Sequence, residues 1–181
     1  MDIYLLRHGE TDYNLKHGRW GGRVDVPLNQ KGIDEALAIK ERVNELNISK
    51  VYSSPLIRAI ETAKIVSNKD IIIDNRLIER SNGLLEGKLK SETPNDIRFN
   101  DPTETRYNIE PVNDVKSRIN DFFDEIIDES SDEKILLVSH AGAGMYIIEY
   151  FYGKPPQNDY RYYKLKNCEL KEFTHVKKRH L

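Results

Sequence analysis

Two histidines of this chain occupy the same local pattern. Leu5-Leu6-Arg7-His8-Gly9 and Leu137-Val138-Ser139-His140-Ala141-Gly142 each run from apolar residues through one polar residue to a histidine, with a glycine within two positions. An imidazole can act as nucleophile, proton carrier or hydrogen-bond donor near neutral pH. In open α/β sheets, ligands bind beyond the carboxyl ends of the strands. If the two runs are neighbouring strands, about 4.8 Å apart, the two rings meet across one small group. The glycines would let backbone approach that group closely. Zinc is a rival use of such histidines. The others are His17, His175 and His180, with no spacing such as His-Glu-x-x-His, so no metal is expected.

The neighbouring residues suit an anion. Arg7 adjoins the first histidine, and Thr11 and Asn14 follow it as further donors. Ser54-Pro55 reads as an N-cap with proline at the first helical position, which puts Arg58 near a helix N-terminus. Such a terminus already favours anions, and a guanidinium adds a two-pronged fork for phosphate. Glu79 lies beyond the third strand-like run, where a carboxyl group can protonate a leaving oxygen. Pairing with Arg80 or Arg76 is the structural alternative for it.

These residues need strands and helices to hold them. Ile3-Tyr4-Leu5-Leu6, Val51-Tyr52-Ser53, Ile71-Ile72-Ile73 and Ile135-Leu136-Leu137-Val138 are short apolar runs fit for buried strands. Between them fall helical periods: Ile33, Ala36, Ile39, Val43 and Leu46 after Asn29 and Gly32, then Leu56, Ile60 and Ala63, then Val115, Ile119, Phe122 and Ile126. Met145 to Phe151 is apolar almost all round and predicts a buried helix. The tail from Tyr160 to Val176 alternates loosely and predicts a strand or a hairpin. This order predicts a three-layer α/β/α sandwich on a mostly parallel sheet, in one domain over 1–181. Residues 83–111, with Pro94, Pro102 and Pro111 and little period, read as a lid inserted after the third strand.

Composition removes other classes. Lys and Arg number 28 against 30 Asp and Glu, a net charge of −2. A general nucleic-acid or membrane-surface binder needs a basic excess, so neither partner is expected. Charged residues make up 32%, above the roughly 25% of an average domain, which predicts a densely charged surface over a lean core. No apolar run approaches the roughly 20 residues of a membrane helix. Cys168 is the only cysteine, which fits a reducing cytoplasm.

Taken together, the motifs resemble those of the histidine phosphatase superfamily, the phosphoglycerate-mutase-like proteins. Arg7-His8-Gly9-Glu10-Thr11 with Asn14 matches its R-H-G-E-T-x-x-N signature. Asp25-Val26-Pro27-Leu28 through Gly32, Ser53-Ser54-Pro55-Leu56-Ile57-Arg58-Ala59, Glu79-Arg80-Ser81-Asn82-Gly83 through Gly87, and Val138-Ser139-His140-Ala141-Gly142 match further motifs in the family's order. Two positions depart from it. Asn82 stands where a bulky residue commonly precedes the glycine, and Asn108-Ile109-Glu110 replaces a Gly-Gly-Glu.

The resemblance implies a phosphomonoesterase acting on small phosphorylated metabolites. His8 would be the nucleophile, Glu79 the general acid and base, and Arg7, Arg58 and a protonated His140 the charge clamp. Gly9, Thr11, Asn14, Gly21, Gly22 and Ala141 would contact substrate, with no cofactor and no metal. A mutase would need a closed site that grips a bisphosphate. The insertion offers only the scattered cations Lys88, Lys90, Arg98 and Arg106 for that. A non-catalytic binding protein of the same fold would have lost a catalytic position, and none is missing. Trp20, Phe99 and Tyr107 could offer a stacking surface, and Lys177 to His180 read as a solvated end.

Overall fold

The computed structural model describes residues 1–15, 18–97, 101, 104–128 and 130–177, with only the backbone of Asn14 and Leu15. The apolar runs form strands β1 (Asp2–Arg7), β2 (Lys50–Ser53), β3 (Ile71–Ile73) and β4 (Lys134–Ser139). The tail adds one strand, β5 (Leu170–Phe173), after a 3-10 turn at Tyr160–Tyr163. The sheet order is β3-β2-β4-β1-β5. All neighbours are parallel except β5, which runs antiparallel to β1 at the edge.

Helices α2 (Gln30–Glu45), α3 (Ile57–Val66), α4 (Val112–Ile126) and α5 (Ala141–Tyr152) cover the sheet, and a short α1 (Asp12–Leu15) follows β1. Strand alternation divides the core between two faces. Ile3, Leu5, Ile135 and Leu137 pack with Val115, Ile119 and Phe122 of α4 and Ile147 of α5. Tyr4, Leu6, Leu136 and Val138 pack with Ala36 and Val43 of α2 and Ala59 and Ala63 of α3. That is the three-layer sandwich. Glu149 is the polar exception in α5, buried against Lys116 at 2.8 Å and Tyr160 at 2.9 Å.

Asn29 caps α2 as its sequence predicts, its side chain accepting from the Gly32 N–H. Ser54 does not cap α3. Its N–H extends the sheet by donating to Val138 O at 3.0 Å. The helix starts only at Ile57, after an extended Leu56. The Ser54 hydroxyl accepts from the Leu56 N–H at 3.3 Å instead and has room for a second partner. The insertion between Gly83 and Pro111 carries 3-10 turns at Gly83–Leu85, Lys90–Glu92 and Arg106–Asn108. Isolated bridges join Arg19 to Leu89 and Trp20 to Glu86. Arg98, Phe99, Pro102, His17 and the end from Lys178 lie outside the described residues.

Candidate active site

Register explains how the two histidines meet. The β1–β4 ladder ends on the pair Arg7 and Ser139, so His8 and His140 each stand one residue past it. The His8 N–H still donates to Ser139 O, at 3.0 Å. The ring centroids are 5.0 Å apart and tilted by 58°. Both are buried, His8 at 3% exposure and His140 at 0%.

The His8 ring has a defined proton. Its Nδ1 lies 2.7 Å from the Gly9 carbonyl oxygen, which can only accept, so Nδ1 carries the hydrogen. Its Nε2 accepts from the Arg58 Nε–H at 3.3 Å. Both contacts leave the lone pair on Nε2. Burial, then the charges of Arg58 and Arg7, push the His8 pKa well below the usual histidine range, so the ring is neutral near pH 7. The Gly9 backbone is held against neighbouring elements. Its N–H is spent on Thr62 Oγ1 at 3.1 Å, and a Cβ there would meet Gly32 O at 2.4 Å. The close approach that this glycine permits is to the start of α2.

His140 differs. Its Nε2 lies 2.7 Å from Ser54 Oγ, the partner left over from the shortened α3. Its Nδ1 is buried with no hydrogen-bond partner among the described residues. Burial, then Arg58 and His8, push its pKa well below the usual range. This corrects the expectation of a standing imidazolium: with two guanidiniums close by, the neutral ring is favoured. A dianion between them would reverse that balance, because an opposite charge favours the protonated ring.

Arg58 is buried at 6% exposure rather than solvated. It also fixes the loop before α2, donating to Val24 O at 2.7 Å and Gly22 O at 2.9 Å. Burial lowers the pKa of Arg7 and Arg58, and the Glu79 carboxylate opposes this in both. A guanidinium stays charged under such conditions.

The Arg80 side chain donates from Nε to Glu110 O at 2.7 Å. Arg76 goes to Asp74 and Glu125. The Glu79 carboxylate accepts from the backbone N–H groups of Gly142 at 3.0 Å and Ala143 at 2.7 Å. These are orphan donors of the first turn of α5. A third comes from the Arg80 N–H at 2.9 Å. A Cβ at residue 142 would lie 2.6 Å from Glu79 Oε1, so this glycine makes room for the carboxylate.

Arg7, His8, Thr11, Gly21, Gly22, Arg58, Glu79 and Ala141 all face one cavity of about 390 Å³. The Asn14 backbone lies in α1, and its side chain is outside the described part. Trp20 and Tyr107 are not on the cavity wall. The Trp20 indole donates to Thr93 and lies under Lys90, while Tyr107 sits in a 3-10 turn. Of the insertion's cations, Lys90 reaches the wall, whereas Arg106 is held by Glu104 and Asp96.

Sequence reasoning missed several wall residues: Tyr13, Arg19, Lys164 and Asn167. It also missed the network behind Glu79. Arg23 donates to the Glu79 carbonyl at 2.9 Å and pairs with Glu110 at 3.0 Å. One oxygen of Glu86 accepts from Arg23 N, Asn82 N and Ser81 Oγ. The signal available for Arg23 and Glu86 was their place within or beside matched motifs. For Lys164 and Asn167 there was none.

Two paired strand-end histidines, the buried Arg58 and half-buried Arg7, and a carboxylate on a helix N-terminus form one constellation on this sheet. Residues 3–180 match the histidine phosphatase superfamily (branch 1), and the chain belongs to that family. It is 33% identical over 180 residues to the probable phosphoglycerate mutase GpmB of Escherichia coli O1:K1, covering 94% of this chain and 83% of the relative. A mycobacterial glucosyl-3-phosphoglycerate phosphatase, solved with vanadate (VO3), superposes with a TM-score of 0.82 at 24% identity, over 94% of this chain and 91% of that one. A putative alpha-ribazole-5'-P phosphatase of Escherichia coli K-12 does so with a TM-score of 0.82 at 25% identity, over 95% and 89%. A phosphatase and a putative phosphatase thus share this fold, and a probable mutase is similar in sequence. No described helix is long and apolar enough to cross a membrane.

Proposed function

We propose that the chain is a phosphomonoesterase that hydrolyses small phosphorylated metabolites through a phosphohistidine on His8. The observation that carries this reading is the His8 ring, with its proton on Nδ1 and its Nε2 lone pair facing the buried Arg58, one residue from the half-buried Arg7. A substrate phosphoryl group displaces the Arg58 Nε–H from Nε2, and both guanidiniums turn to its oxygens. The Nε2 lone pair attacks phosphorus and the P–O bond to the alcohol breaks. Glu79, protonated for this step, gives its proton to the leaving oxygen. Its carboxylate then takes a proton from water, the new hydroxide attacks phosphorus, and the P–N bond breaks. Inorganic phosphate leaves, and Glu79 is again protonated. Splitting one displacement into two is what a covalent nucleophile contributes. Arg7, Arg58 and the His140 ring, which takes up a proton from solvent as the dianion enters, stabilise the equatorial oxygens. The scheme assigns that charge to side chains, so metal independence is part of the proposal.

A mutase reading has the support of the GpmB-type relative. Against it stands the insertion, where Lys90 is the cation that reaches the wall and Arg106 is already paired. Rapid-quench kinetics of Glu79→Gln with p-nitrophenyl phosphate test the scheme. Nitrophenolate leaves without help from an acid, so a burst followed by slow dephosphorylation is expected, with a much larger loss on alkyl phosphates. Equal losses on both esters with no burst would make Glu79 structural. Phosphoglycerate mutase activity, measured alongside phosphate release, decides between the two readings.

A further inference from the structure

We infer that the Ser54 hydroxyl positions His140 for the reaction by holding the hydrogen of its neutral ring on Nδ1, where it is left to bind a phosphoryl oxygen. The inference rests on the phosphatase reading. The sheet order gives β4 two neighbours, β1 and β2. On one side, β1 brings the His8 ring to 5.0 Å from that of His140, centroid to centroid. On the other, β2 pairs Ser53 with Val138. The N–H of Ser54, one residue beyond that pair, donates to Val138 O at 3.0 Å. Ser54 and His140 are both at 0% exposure. Sheet register thus sets the hydroxyl against the His140 ring, with Oγ 2.7 Å from Nε2.

The available hydrogens choose the tautomer. A serine hydroxyl has one hydrogen to give and two lone pairs. Among the described residues, Ser54 Oγ hydrogen-bonds to two groups, the Leu56 N–H at 3.3 Å, which can only donate, and His140 Nε2. The serine hydrogen therefore has Nε2 as its acceptor. A neutral ring that accepts at Nε2 carries its own hydrogen on Nδ1. The opposite tautomer would bury two groups without partners, the serine hydrogen and the Nδ1 lone pair. With hydrogen on Nδ1, that N–H alone is left over, because Nδ1 has no hydrogen-bond partner among the described residues. The Arg7 Nε–H is a second buried donor without one. Buried polar groups are nearly always paired, so two leftover donors beside the nucleophile point to an acceptor that arrives with the ligand. The hydroxyl can equally accept from Nε2–H, so the same contact holds the ring after it gains a second proton.

The test reads the ring nitrogens by long-range nitrogen–proton NMR of protein labelled at histidine, in which a protonated ring nitrogen separates widely from an unprotonated one. His140→Gln identifies the His140 signals by their loss. In the free wild-type protein at neutral pH, His140 should carry hydrogen on Nδ1 alone, and vanadate should shift the Nδ1 resonance. Ser54→Ala should populate the Nε2–H tautomer and lower kcat with p-nitrophenyl phosphate by about tenfold or more, with a smaller change in KM. A merely structural serine would leave the tautomer unmoved. Hydrogen on Nε2 alone, or on both nitrogens, in the free wild-type protein overturns the inference whatever the variant does. So does a folded Ser54→Ala protein that keeps the wild-type tautomer, or an Nδ1 resonance unmoved by vanadate that inhibits turnover. Each of these leaves the phosphatase reading standing. Failure of the wild-type protein to release phosphate from p-nitrophenyl phosphate and from alkyl phosphates would defeat the reading itself.

Discussion

The ends of β1 and β4 begin from nearly the same sequence pattern and finish in different chemistry. After β1 the chain turns into a loop, and Gly9 is locked by Thr62 and against Gly32. Its carbonyl sets the tautomer of His8. After β4 the chain passes at once into α5, whose first N–H groups hold Glu79 rather than a histidine. One strand end presents a lone pair, and the other presents a ring with an unpartnered nitrogen beside a proton carrier. Equal placement by the sheet does not confer equal roles. The loop after β1 and the helix after β4 assign them.

Removing the nucleophile is the sharpest way to break the comparison. His8→Ala should lower turnover by about 10⁴-fold or more and abolish acid-labile phosphoenzyme on brief incubation with labelled substrate. The protein should still unfold cooperatively. Activity within tenfold of wild type would refute the role given to β1.

The two glycines sharpen it next. Gly142→Ala should fold, because the group it displaces is a carboxylate tip, and lose about 10²-fold on alkyl phosphates through a misplaced acid. Aryl phosphates should suffer much less in phosphoenzyme formation. Gly9→Ala meets backbone instead and should cost about 1–3 kcal/mol of stability in urea unfolding. Reversed outcomes would exchange the roles assigned to the two strand ends.

Acid should act on both ends alike. His8 and His140 have folded pKa values depressed below the ordinary 6.5, so the unfolded chain takes up protons that the folded one refuses. Stability is then full above pH 6.5 and falls as pH drops below it. Both rings therefore favour the folded state less as pH falls from 7.5 to 5.5. Unfolding of His8→Gln and His140→Gln at those two pH values should each show a smaller loss than wild type, and vanadate should reduce the wild-type loss. The smallest expected effect is that of chelator: turnover should stay unchanged, and a loss restored by added metal would refute the side-chain clamp.

Much of this was legible because strands announce themselves. Ile3 to Leu6 and Ile135 to Val138 are apolar on both faces, which only a covered parallel sheet requires, and the histidines that end them fall together by register. Asn29 likewise declared the start of α2. Ser54 misled because Ser-Pro serves equally as a helix cap and as the last extended residue of a strand. The hydroxyl that would cap α3 goes to His140. The charge state of His140 depends first on its burial and then on Arg58, which is distant in sequence. Asn167 sits in an irregular segment where no period marks a face, and its importance arises from its contact with His8 at the opposite end of the chain.

Those contacts bear on how the protein comes into being. β1 is the first strand made, yet its two neighbours are residues 134–139 and 170–173, and the brace on Arg7 and His8 comes from residues 165–168. During synthesis, at about 5–20 residues per second, the nucleophile's strand must wait unpaired on both edges for most of the chain. Its apolar side chains are then open to other partners, so the nascent polypeptide should depend on chaperones until its last strand emerges. Under the proposed mechanism, activity would wait for the docking of residues 165–173 onto β1 and His8.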